Sequence, residues 1–152
     1  MRQTRCRALL LCLALATPWT AQGGSESAVE QAIEYREGLM EVLGWNMKRM
    51  GAMLKGRQPW DGALFARRAR DLDAAARLDL LAGFPEDSVS DESDAKDEIW
   101  LDWETFSGHL ETLRRRTAAL SAAATGGDRE AAARAFAEVG KACKQCHKAF
   151  RK

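Results

Sequence analysis

Proline and β-branched residues are scarce in this chain. Three prolines (Pro18, Pro59 and Pro85) stand among 152 residues, and few valines or isoleucines interrupt the alanine-rich stretches. Little here favours a pleated sheet, and long segments run without a helix breaker. With 30% charged residues, the composition favours an all-α fold. An excess of charge of either sign is also missing. The formal net charge is +1, which argues against nucleic acid or any broadly anionic partner. There is no Ser/His/Asp set, no glycine-rich phosphate loop and no carboxylate pair with a cleft, so the chain does not read as an enzyme. Its length fits one domain with a real core.

No apolar run is long enough to span a membrane. The run at residues 8–16 follows Arg2, Arg5 and Arg7 and is stopped by Pro18. A basic start, a short apolar stretch and the small residues Ala21 and Gly23 make residues 1–23 an expected export signal, cleaved after Gly23. Cleavage after Ala21 is the alternative, with Trp19 then at −3. Cys12 follows Leu11 rather than a small residue, unlike a lipidated cysteine. The expected product is a periplasmic domain of residues 24–152 with no membrane anchor.

Cysteine is sparse in that domain. Cys143 and Cys146 are its two cysteines, and a zinc site would need a further Cys or His pair. They open the segment Cys143-Lys144-Gln145-Cys146-His147, which is the Cys-x-x-Cys-His signature of c-type haem attachment. Two thiols add across the porphyrin vinyl groups, and the adjoining imidazole takes the iron. On a helix the spacings i, i+3 and i+4 put all three side chains on one face. A haem-free thiol switch is the competing use of the same pair.

Four amphipathic segments follow from the 3.6-residue period. In the first, residues 26–55, Val29, Ile33, Met40, Leu43, Met47, Met50 and Leu54 form the stripe. Arg36 falls in phase with it. A permanent charge there needs a partner: either its head reaches water, or it meets an anion such as a haem propionate. The second segment is capped by Asp61 and runs to about Leu81, with Phe65, Ala69, Leu72, Ala76 and Leu80 inward and Arg67, Arg68 and Arg70 on a solvated face. Residues 86–97 read as an acidic, serine-rich surface loop. The third segment, 98–124, turns Ile99, Trp103, Phe106, Leu110, Leu113, Thr117 and Leu120 inward, with Trp100 beside them. His109 is off that stripe and reads as a surface or intermediate residue, not a metal ligand. Gly126 and Gly127 end it, and Asp128 caps the last helix, whose inner face carries Ala132, Phe136, Val139, Cys143, Cys146 and Phe150. The expected architecture is an antiparallel up-down-up-down four-helix bundle. First and last helices then run antiparallel, which brings Arg36, Glu37 and Met40 near His147.

Residues 136–147 (FAEVGKACKQCH) with Phe150 and Arg151, residues 35–40 (YREGLM), residues 44–47 (GWNM) and residues 98–100 (EIW) together resemble the cytochrome c-prime family, class II cytochromes c of the bacterial periplasm. The resemblance covers the whole expected domain. It implies a left-handed four-helix bundle, often a homodimer packed through its first two helices. It implies one covalent haem c on Cys143 and Cys146, with His147 as the proximal iron ligand. Arg36 matches an arginine near the propionates, Arg151 a basic residue near the proximal face, and Met40 the distal position over the iron. Glu37 stands where glutamine is common, and its carboxylate would repel a propionate unless protonated or paired with Arg36. Met40 is either an apolar lid or a sixth ligand. As a lid it leaves five-coordinate, high-spin iron that binds nitric oxide, and carbon monoxide more weakly. As a ligand it makes a low-spin electron carrier with His147/Met40 ligation. Lys141, Lys144, Lys148 and Lys152 would then steer an acidic redox partner, or merely solvate the helix end.

Overall fold

The structure is a computed structural model and describes residues 27–152 apart from residues 87, 89 and 92. The expected export signal, with Cys6 and Cys12, lies outside the described residues. Helix α1 (Ala28–Leu54) starts at a capping box. The Ser27 hydroxyl accepts from the Glu30 N–H, and the Glu30 carboxylate accepts from the Ser27 N–H, which satisfies two orphan donors of the first turn. It ends at Gly56, whose φ of +69° is left-handed and suits glycine. Helix α2 (Gly62–Ala76) is capped by Asp61, α4 (Trp103–Thr125) by Asp102 and α5 (Arg129–Phe150) by Asp128. A 3₁₀ turn (Leu80–Gly83) and one helical turn, α3 (Glu98–Leu101), lie between α2 and α4.

The bundle therefore consists of α1, α2, α4 and α5, with two corrections to the sequence expectation. First, α2 stops at Ala76, not near Leu81. Arg114 reaches over from α4, and its Nε donates to the Ala76 carbonyl at 3.2 Å. That occupies the oxygen a continuing helix would offer to residue 80. Leu80 is still buried, but from the 3₁₀ turn. Second, the third helix is broken at Asp102, which leaves helical geometry (φ −132°, ψ 57°) to cap α4. The break turns Trp103, expected inside, to 39% exposure.

Helix α4 packs against α5 and α2, and α1 packs against α2. Two apolar clusters result. One gathers Met50, Met53, Phe65, Leu72, Leu120 and Val139 near the α1–α2 turn. The other gathers Leu39, Phe84, Ile99, Phe106 and Phe150 at the opposite end, where the Phe106 ring meets Phe84 edge-on at 4.8 Å and Phe150 at 5.3 Å. Each such buried side chain contributes roughly 1.5–3 kcal/mol over its exposed state. Helices α1 and α5 close on each other where Phe136 crosses Gly51: a Cβ added there would lie 3.4 Å from the ring. At the other end a cavity separates them. The buried face of α1 is rotated from the expected stripe: Leu39, Asn46 and Met53 join Ile33, Leu43 and Met50 in the interior, while Met40 and Met47 are half-buried on the cavity wall.

Candidate haem site

The cavity holds about 1090 Å³, just above the roughly 300–1,000 Å³ usual for small-molecule sites. Its α5 wall is the Cys-x-x-Cys-His face: Cys143, Cys146 and His147, with Phe150 and Arg151 beyond. The helix runs unbroken through the motif, so the i, i+3, i+4 spacing brings the three side chains together as the period requires. Opposite lies α1, with Arg36, Glu37, Met40, Gly44 and Met47; Phe106, His109 and Leu110 of α4 form a third wall.

The two cysteines are free and half-buried. Burial raises the pKa of both thiols; Cys146, with Cys143 beside it, is pushed up to about 11. Such thiols stay protonated, the reverse of what a thiol switch requires. His147 is drawn below its ordinary pKa by partial desolvation and then by the nearby Arg151. Its imidazole is therefore neutral at pH 7, the form that binds metal.

Arg36 is 3% exposed, so the stem-buried, head-in-water alternative does not hold. One terminal guanidinium nitrogen donates to the Gly83 carbonyl and the Ser88 hydroxyl, both at 2.9 Å. The other donates to the Ser88 carbonyl at 2.9 Å and the Ser93 hydroxyl at 2.7 Å. The guanidinium also lies 4.8 Å from the Phe84 ring centre. All four acceptors are neutral oxygens, and desolvation lowers the Arg36 pKa. This corrects the loop expected at 86–97. Glu86, Asp91, Asp94 and Asp97 are exposed as expected, but Ser88 and Ser93 are buried and fasten the segment to the core as a strap. The signal was present in outline: a charge in a core stripe demands acceptors, and serines were the nearest polar candidates.

Glu37 is exposed at the cavity edge, and its charge partly offsets that of Arg36. Arg151 ends α5 and pairs with Asp94 of the strap. His109 is half-buried, stands edge-on to Phe150 at 5.9 Å and lines the cavity. That half-burial matches expectation, but its place on the cavity wall was not foreseen. Met47, Ser88, Ser93 and Asp94 were also missed as site residues. Nothing in the local sequence around Asp94 marks it, because its partner is 57 residues away.

The family model described as Cytochrome C' matches residues 31–151. The chain belongs to the cytochrome c' family. It is 39% identical over 128 residues to cytochrome c' of Halomonas halodenitrificans, a match covering 80% of this chain and 96% of that one. Cytochrome c prime from Shewanella frigidimarina superposes with a TM-score of 0.80 at 35% identity, over 84% of this chain and 98% of that one. Variants of the Alcaligenes xylosoxidans cytochrome c prime in complex with nitric oxide and carbon monoxide superpose at 0.75 with 33% identity, over 84% of this chain and 98% and 99% of theirs. Members of the family carry covalently attached haem c. The residues here fit that group. Two thiols and a neutral imidazole share one cavity wall, and a buried guanidinium bonded only to neutral oxygens favours an anion nearby.

Proposed function

We propose that residues 24–152 form an exported, periplasmic domain that binds nitric oxide and carbon monoxide at a haem c. In it Cys143 and Cys146 would hold the porphyrin through thioether bonds, and His147 would ligate its iron. When bound, the haem supplies an iron centre for one-electron transfer and for small diatomic ligands. The observation that carries this reading is the position of Met40, half-buried on the wall facing α5 and packed against both apolar clusters. A thioether held by apolar packing acts as a lid. Leu43, Met47 and Leu72 line the same cavity and offer no hydrogen-bond donor from their side chains, so bound dioxygen would gain nothing from them. Arg36 supplies positive charge for the propionates, while Glu37 is held off from them by its exposure. The role is gas binding and one-electron transfer at one iron, rather than turnover of a substrate.

Homodimer formation through α1 and α2 is part of the proposal. Val42 and Trp45, 46% and 53% exposed on α1, support it. No helix among the described residues is long and apolar enough to cross a membrane. The second reading, an electron carrier with Met40 and His147 both ligating, draws on the same Met40 position and on the exposed Lys144 and Lys148.

Ferric and ferrous absorption spectra, before and after nitric oxide, test the two. The lid reading expects five-coordinate, high-spin spectra that change on adding the gas. Met40→Ala should raise carbon monoxide affinity about tenfold, the effect of removing roughly 1–2 kcal/mol of crowding. A six-coordinate low-spin spectrum that Met40→Ala converts to high-spin would establish the carrier instead.

A further inference from the structure

The strap is fastened at adjacent residues to opposite sides of the cavity. Ser93 accepts from Arg36 on α1 at 2.7 Å. Asp94 accepts from Nε of Arg151, at the end of α5, at 2.9 Å, and the same carboxylate oxygen also accepts from a terminal nitrogen of that guanidinium. Main-chain bonds run alongside. The Lys152 N–H donates to the Asp94 carbonyl at 2.8 Å, the Lys96 N–H donates to the Phe150 carbonyl at 3.0 Å, and Ala95 pairs with Arg151 as an isolated antiparallel bridge. Those main-chain bonds already anchor the C-terminus. The ion pair is exposed, with side chains 54% and 66% accessible, and exposed pairs add little to stability. What the carboxylate adds is direction. A free arginine on the last residues of a helix samples several rotamers; this one is held at the cavity that His147 also lines, one turn beyond it, with its main-chain N–H donating to the His147 carbonyl at 3.1 Å.

We infer that Asp94 is a positioning residue for the proximal side, holding the Arg151 guanidinium on the cavity wall that carries His147. This rests on the haem reading above. With Asp94 in place, Arg151 contributes a fixed cation near the iron, which favours the reduced state. Without Asp94, the arginine turns to solvent and its influence is screened.

The experiment is a double-mutant cycle on the midpoint potential of the haem-loaded protein, using Arg151→Gln and Asp94→Asn singly and together. In the wild-type background Arg151→Gln should lower the ferrous-to-ferric ratio at a fixed poise about threefold, the size expected of an exposed charge. In the Asp94→Asn background the same replacement should change the ratio little, and Asp94→Glu, which keeps the carboxylate, should restore the sensitivity. Amide exchange of residues 93–96 should be the same in all variants, since the main-chain bonds remain. Equal Arg151→Gln shifts in both backgrounds, or no shift in either, would overturn the inference while leaving the haem reading intact. A wild-type protein that carries no covalent haem by the pyridine haemochrome assay would overturn both.

Discussion

The two halves of the bundle obey the same period and reach opposite outcomes. Near the α1–α2 turn, Met50, Met53, Phe65, Leu120 and Val139 are essentially inaccessible, and Phe136 closes α5 onto α1 at Gly51. Near the C-terminus, residues with the same spacing (Arg36, Met40, Met47, Cys143, Cys146) line a cavity instead. The amphipathic stripe says which way a helix faces. It does not say whether protein fills the space it faces. Residue type alone does not decide it: Met50, Met53 and Gly51 lie in the closed half, Met40, Met47 and Gly44 in the open one. What closes the first is Phe136, whose ring reaches α1 at Gly51. The largest expected effect lies in the closed half. Phe65→Ala should cost about 3–5 kcal/mol in urea denaturation, because close-packed neighbours cannot collapse into the space. It should leave the absorption spectrum of the haem-loaded protein unchanged. A changed spectrum would mean that the halves are not separable.

The matching lesion in the open half is Arg36→Ala. It strands the Gly83, Ser88 and Ser93 oxygens and removes charge-assisted bonds worth roughly 1.5–3 kcal/mol each before compensation by water. A net loss of about 2–3 kcal/mol is expected, with faster amide exchange confined to the strap at residues 84–95. Arg36→Lys should recover little, since an ammonium cannot reproduce the fork that spans two serines and a carbonyl. Exchange spread evenly over the bundle would show that the strap is not a separate unit.

How much of this was legible in the sequence follows from the range of the interactions involved. The starts of α2 and α5 were readable because Asp61 and Asp128 act within three residues of themselves. The Cys-x-x-Cys-His segment was readable because a single helix face carries it. The end of α2 was not, since the group that stops it, Arg114, comes from 38 residues further on. Nor was the break at Asp102, where a capping residue sits inside an unbroken stripe. The strap looked solvated because serine and acidic residues usually are, and only the long-range demand of Arg36 buries two of them. The end of α2 gives a third, smaller prediction. Arg114→Ala should cost about 1 kcal/mol and loosen the turn that follows α2, whose Leu78 carbonyl Arg114 also bonds, measurable as faster exchange of the amides of residues 77–80.

The smallest expected effect distinguishes the halves most directly. Gly44 and Gly51 both sit inside α1, where each costs about 0.5–1 kcal/mol relative to alanine. A Cβ at Gly51 would meet the Phe136 ring at 3.4 Å, an ordinary contact, whereas a Cβ at Gly44 would meet nothing within 4 Å and would point along the cavity wall. Gly51→Ala should therefore stabilise the protein by up to about 1 kcal/mol with or without haem. Gly44→Ala should bring a similar gain to the haem-free chain. In the haem-loaded protein that gain should shrink or reverse, because the methyl then competes with the porphyrin for the wall one turn from Met40. Denaturation of both variants in both forms decides it. A Gly44→Ala gain that is the same in the two forms would mean the porphyrin does not lie against this part of α1, and the open half would then owe its width to something other than the cofactor.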